Sequence, residues 1–266
     1  MPVITVGTAR IPYRVVGDGP DTLVLVHGTG PGSAMWDGLL DSFTDRYTVL
    51  LPDLSGSEAA EDDGATLTLE AMAAQVAAVI EDAGRGPADV LGFSLGAVVA
   101  TATAALHPER VRRLVAAAGW ISAEQDEYLR LSMATWLSLA DHPAAFGGYA
   151  TLTAFSGGFL NRIGRAAVQS NTAYMRPTSG TLRHIALNLD LDLGPLLPRV
   201  QAPALVIGCT QDATVPVENA RRLHAALPGS TYAEFDTGHI VLAEETEAFT
   251  GAVRDFLLAA AAPTAA

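Results

Sequence analysis

The stretch Ala88-Asp89-Val90-Leu91-Gly92-Phe93-Ser94-Leu95-Gly96, continued by an Ala-rich run over 97–106, decides how this chain is read. It opens as a short apolar run with strand character and closes with the composition of a helix. Between the two stands Gly92-Phe93-Ser94-Leu95-Gly96, the pattern G-x-S-x-G. A serine on a sharp strand-to-helix turn needs small neighbours, because the backbone there is strained and crowded. Glycines two before and two after the serine meet that need. Such a turn holds the Ser94 hydroxyl above the sheet edge at a helix N-terminus, where the dipole favours developing negative charge.

On both sides of this stretch short buried strands alternate with helices. Strands are predicted over 3–6, 11–16, 22–26, 47–51, 111–117, 203–208 and 231–235, and helices over 34–43, 67–83, 217–227 and 244–258. That alternation implies an α/β fold, a mostly parallel sheet with helices on both faces. The rhythm breaks at Gly119-Trp120. From 121 to 181 there are helical fragments, glycine pairs and aromatics but no strand pattern, which reads as an inserted helical cap. The predicted organisation is a core of 1–119 and 182–266 with a cap of 120–181, and a frayed tail after 258.

Composition narrows the function classes. The chain has 266 residues, 49% hydrophobic and 17% charged, enough for one large domain with an insertion. Its net charge is −13, and all 16 of its basic residues are Arg. An acidic chain without a basic cluster argues against nucleic acid or an anionic membrane as partner. Arg110, Arg112 and Arg113 read as a solvated surface group. The single cysteine, Cys209, excludes an internal disulfide framework and a Cys-based zinc cluster, and reads as a small residue at a strand end. The N-terminus has neither a charged n-region nor an apolar h-region, and no stretch is long and apolar enough to span a bilayer. A cytoplasmic protein acting on a small molecule is expected; oligomeric state is not legible.

Serine is a poor nucleophile at neutral pH and needs a base, usually a histidine whose tautomer a carboxylate fixes. His239, in Asp236-Thr237-Gly238-His239, follows the strand over 231–235, where it can reach back over Ser94. Asp212 follows the strand over 203–208, with Asp236 and Asp190 as rival acids. The chain order Ser94, Asp212, His239 is the one this architecture requires. His27 reads as a hydrogen-bonding organiser of its loop, and His107, His142, His184 and His224 as helix-end or surface residues.

With Val26-His27-Gly28-Thr29-Gly30, Pro52-Asp53, the Ser94 turn, Gly208-x-x-x-Asp212 and Gly238-His239 together, the chain resembles a serine α/β-hydrolase over nearly its whole length. The resemblance implies an oxyanion hole made by the backbone N–H groups of Thr29 and Leu95. It implies attack by Ser94 on an acyl carbonyl, His239 as base then acid, and no metal or organic cofactor. The chain departs from the common pattern at Asp53-Leu54-Ser55-Gly56-Ser57, where the second glycine of D-x-x-G-x-G is missing, and at Ala97, which follows the turn.

Trp36 and Phe93, beside the catalytic loops, are expected to touch substrate, with Trp120, Met133 and Trp136 from the cap side of an apolar pocket. An ester or thioester suits such a pocket. The run His27-Gly28-Thr29-Gly30-Pro31-Gly32 is also similar to hydrolases that cleave carbon–carbon bonds in vinylogous diketones. Acyl transfer or cyclisation, and a non-catalytic small-molecule receptor, are the other readings of the same residues.

Overall fold

The computed structural model describes residues 1–30, 32–124 and 126–259. Pro31 of the glycine-rich loop and the tail 260–266 lie outside the described residues. The elements run β1 (Val3–Val6), β2 (Ala9–Val16), β3 (Asp21–Val26), β4 (Tyr47–Pro52), α1 (Leu69–Asp82), β5 (Ala88–Phe93), α2 (Leu95–Leu106) and β6 (Val111–Ala117). Four helices follow, α3 (Glu127–Ser138), α4 (Pro143–Ala154), α5 (Gly157–Tyr174) and α6 (Ser179–Asp190). The chain then returns through β7 (Ala204–Cys209), α7 (Val217–Ala226), β8 (Thr231–Phe235), α8 (Val241–Glu244) and α9 (Thr246–Leu258).

The strands form one sheet in the order β1-β2-β4-β3-β5-β6-β7-β8. The first two pairings, β1 with β2 and β2 with β4, are antiparallel, and every other neighbouring pair is parallel. The period of two along each strand divides the apolar residues between two cores. Val24, Val26, Val90, Ala116 and Val206 face the layer of α1 and α2. Leu23, Leu25, Leu91, Phe93, Val115 and Ile207 face Trp36, Phe43 and α9. The segment predicted as a helix over 34–43 is a 3₁₀ helix over Ser33–Ser42, consistent with its poor helix formers Ser33, Asp37 and Gly38.

Helix α2 is buried from Leu95 to Ala105. It tolerates two threonines there because Thr101 and Thr103 donate their hydroxyls to the carbonyls of Ala97 and Val99, at 2.7 and 2.8 Å. Arg112, expected in a solvated group, instead makes a bidentate pair with Asp89 (2.8 Å for each bond) and a further bond to Asp21 (2.8 Å). Asp89 is fully buried, so this cation is the counter-charge that lets a carboxylate sit inside the sheet.

The helical insertion lies between β6 and β7 and extends further than predicted. Position 181 falls inside α6, which continues to Asp190. Its buried residues Thr181, His184, Ile185 and Asn188 recur at helical spacing across that boundary, and the Thr178 hydroxyl caps its start. Among the described residues no helix is long and apolar enough to cross a membrane.

Candidate active site

Three strand ends bring the candidate groups together. Ser94 follows β5 directly, with φ 57° and ψ −124°, and its N–H continues the sheet by donating to the Ala117 carbonyl at 2.8 Å. A positive φ is costly for a residue with a side chain and persists only where surrounding structure enforces it. The enforcement is close packing at the flanking glycines. A Cβ on Gly92 would stand 2.0 Å from the Gly96 carbonyl oxygen, and one on Gly96 would stand 2.2 Å from that of Val26.

The Ser94 hydroxyl lies 2.9 Å from His239 Nε2, and His239 Nδ1 lies 2.6 Å from Asp212 Oδ2. The other carboxylate oxygen, Oδ1, accepts from the N–H groups of Thr214 and Val215, both at 2.8 Å. Asp212 is thus held by its own loop, and it selects the tautomer in which Nδ1 donates and Nε2 accepts from the serine. All three residues are buried. The rival acids are elsewhere: Asp236 bonds Thr210 and Gln211, and Asp190 is exposed at the end of α6.

The loop carrying Thr29 is built from buried polar contacts. Asp53 Oδ1 accepts from the Ser33 N–H at 2.7 Å, and His27 Nε2 accepts from the Leu54 N–H at 3.0 Å. His27 therefore donates through Nδ1 to the Gly28 carbonyl, 2.8 Å away, the organising role its position suggests. A Cβ on Gly28 would lie 3.1 Å from the Cβ of Ser94, so this loop and the serine turn are in close contact. The backbone N–H groups of Thr29 and Leu95 have no hydrogen-bond partner among the described residues.

His184 is a correction to the sequence reading. It is fully buried in mid-helix, not at a helix end or surface. Its Nδ1 accepts from the Gly30 N–H at 3.3 Å, so Nε2 donates to the Ser55 carbonyl at 2.8 Å. Helix α6 is thereby pinned to the loops after β3 and β4. Burial pushes the His184 pKa down to about 3, and burial lowers that of His27 as well.

A second set of contacts ties the cap to the acid and base loops. The N–H groups of Ala213 and Ile240 donate to the carbonyls of Thr153 and Ala154, at 3.3 and 3.0 Å. Buried Glu244 accepts from the Ser156 N–H (2.7 Å), the Ser156 hydroxyl (2.5 Å) and the Gly238 N–H (3.2 Å). Gly238 must be small here, because a Cβ on it would stand 2.5 Å from the Ser156 nitrogen.

Ser94 and His239 open onto a cavity of about 430 Å³, within the range of small-molecule sites. Thr29, Phe93, Met133 and Trp136 line it, as does Asn188 of α6. Trp36 and Trp120, expected at substrate, do not line it. Both are fully buried, Trp36 in the core under the sheet with Phe43 and Phe249, Trp120 in the core on the α2 side. Trp36 follows the three-residue period of its 3₁₀ helix inward with Ser33 and Leu39, and Trp120, in the loop after β6, turns into the core, which nearness in sequence to a loop does not reveal. Asn188 and Glu244 were not singled out by sequence reasoning, and no motif marks either; only the docking of α6 and α8 brings them to the site.

The model of the alpha/beta hydrolase fold matches residues 21–246. The chain is 36% identical to pyrrolizixenacetamide deacetylase of Xenorhabdus hominickii, over 98% of this chain and 99% of that one. It is 26% identical to the putative carbamate hydrolase RutD of Stutzerimonas stutzeri strain A1501, over 92% and 94%. Among solved structures it is similar to the enol-lactonase from Burkholderia xenovorans LB400, with a TM-score of 0.80 and 26% identity over 97% and 100% of the two chains. With a serine on the strained turn, a histidine and a carboxylate in line behind it, and a family match over most of its length, the chain is a hydrolase of the α/β-hydrolase fold family.

Proposed function

We propose that this chain hydrolyses an acyl bond of a small, largely apolar molecule through a covalent acyl-serine at Ser94. The observation that carries this reading is the unbroken path from the Ser94 hydroxyl through His239 to Asp212, opening on the cavity. Ser94 Oγ attacks the carbonyl carbon while its proton passes to His239 Nε2, and Asp212 supports the resulting imidazolium. The carbonyl oxygen, now an oxyanion, is stabilised by the free N–H groups of Thr29 and Leu95; losing one such donor typically costs about 10²–10³-fold in rate. His239 returns the proton to the departing group. Water then attacks the acyl-serine by the same route in reverse, giving the carboxylic acid and free Ser94. Phe93, Met133 and Trp136 contact the substrate.

The apolar lining suits an ester or thioester. One observation favours a second acyl class: the relative at 36% identity, matched over nearly its whole length, bears the name pyrrolizixenacetamide deacetylase. The reading as an acyl hydrolase is tested with 4-nitrophenyl esters of increasing chain length. A pre-steady-state burst of nitrophenolate is expected, with turnover cut by about 10⁴-fold or more in Ser94→Ala. Ester turnover that survives Ser94→Ala contradicts it.

A further inference from the structure

Helix α6 reaches the loop of the candidate oxyanion donor with two side chains one helical turn apart. Asn188 Nδ2 donates to the Thr29 hydroxyl at 3.0 Å, and His184 Nδ1 accepts from the Gly30 N–H at 3.3 Å. Both residues are buried. The helix seats this deeply because position 180 is glycine: a Cβ there would stand 2.0 Å from the Gly56 carbonyl oxygen.

These contacts constrain the Gly28–Thr29 peptide, whose N–H is the proposed donor. A trans peptide is planar, so its C=O and N–H point in opposite directions. The Gly28 carbonyl accepts from His27 Nδ1 at 2.8 Å, which fixes the plane from the core side. Beyond Thr29 the chain passes through Gly30 at φ 125°, a conformation open to glycine and therefore weakly restrained by its own sterics. The restraint comes from α6, which holds the Thr29 side chain and the next amide along. Asparagine is otherwise a poor choice at 188. Leucine is the better helix former, and Asn188 Oδ1 is buried with no partner among the described residues, which is destabilising. The bond to Thr29 is what asparagine supplies there and an apolar residue does not.

We propose that Asn188 is a positioning residue for the oxyanion hole, holding the Thr29 side chain so that the Thr29 N–H stays aimed at the carbonyl oxygen as it becomes negative. The proposal rests on the acyl-hydrolase reading and assigns part of the transition-state alignment to the helical insertion. Asn188 touches no reacting atom and carries no proton.

The test is a double-mutant cycle on 4-nitrophenyl acetate with Asn188→Leu and Thr29→Val, which remove the two ends of one hydrogen bond and leave the Thr29 N–H in place. Each variant is expected to lower kcat about tenfold, a part of the roughly 10²–10³-fold that a lost donor costs, with KM changed by no more than about twofold. The double variant is expected to lose no more than either single one. A trifluoromethyl ketone provides a second readout. Ser94 Oγ adds to its carbonyl carbon, the serine proton passes to His239, and the ketone oxygen becomes the oxyanion. Its inhibition constant is expected to rise by the factor by which kcat/KM falls. Thr29→Ser, which keeps the hydroxyl, is expected to retain most of the rate. Losses that multiply in the double variant overturn the proposal, as does wild-type kcat in Asn188→Leu. Wild-type kcat in Thr29→Val overturns it without any Asn188 variant having to fold. Failure of the acyl-hydrolase reading is a different result: the absence of a Ser94-dependent burst in the wild-type protein.

Discussion

His184 shows how much of this site depends on single neutral side chains. Its ring accepts from Gly30 and donates to Ser55, and a proton on Nδ1 would set two donors against each other. The folded protein therefore resists protonation until about pH 3, against an ordinary histidine value of 6.5. Between those values the unfolded chain binds the extra proton, so stability is fully present above pH 6.5 and is lost as pH falls through the window. His27, also lowered by burial, adds a loss of the same sign. The carboxylates held low by arginine, Asp21 by the hydrogen bond from Arg112 and Glu234 by that from Arg221, lose their share only near and below their ordinary values of 3.8 and 4.5, which leaves the range above pH 5 to the histidines. Urea unfolding should show a fall in stability from pH 7.5 to 5, with a slope of up to about 1.4 kcal/mol per pH unit for each histidine. His184→Gln, which can still donate to Ser55, should be shallower by one proton; an unchanged slope contradicts this role. At this scale the legible residues were those at strand ends. Ser94, Asp212 and His239 each follow a strand whose apolar run can be counted, so chain order alone put them side by side. Asn188 and His184 are helical residues whose aim depends on how the cap docks, and no local signal carries that. Trp36 and Trp120 were misplaced for the same reason, since an aromatic beside a loop can turn into the core or into the cavity.

Among the elements, the strands were read most closely, with β6 and β8 matching to the residue, because apolar runs between turn signals leave little freedom. In the cap the glycine pairs and polar faces of the helices blur the boundaries, and α6 runs through position 181 to Asp190 without a local sequence signal at its end. What the cap does for the site lies in its joints. The 153–156 segment touches the loops of both Asp212 and His239, and Glu244 joins Ser156 to Gly238 through three hydrogen bonds. Glu244→Ala would strip the buried Ser156 and Gly238 donors of their acceptor and loosen the loop that aims His239. We expect kcat on a 4-nitrophenyl ester to fall by about 10-fold or more, as misplacement of a catalytic group does, with acylation by a fluorophosphonate slowed in parallel. Glu244→Gln keeps one acceptor oxygen and should recover part of the rate. If both variants acylate like wild type, the cap and the histidine are not coupled through Glu244.

At the scale of the whole molecule, the sheet holds the loops of Ser94, Asp212 and His239 at its strand ends, and the helices between β6 and β7 supply much of the cavity wall beside them. The buried contacts of the sheet, including the Asp21–Arg112–Asp89 pairing, build a frame that holds three loops at its strand ends. That frame was readable because alternating strands and helices admit few topologies. The cavity was not, since its wall is drawn from four helices, α3 to α6, and from loops of the core. The central claim is that Ser94 is a nucleophile activated through His239 and Asp212. Intact-protein mass spectrometry after treatment with a fluorophosphonate tests it most directly, because the probe reacts with an activated serine whatever the natural substrate is. The account predicts a single adduct on Ser94, absent in Ser94→Ala and formed far more slowly in His239→Ala. A folded wild-type protein that gains no adduct, or gains it on another residue, contradicts the account.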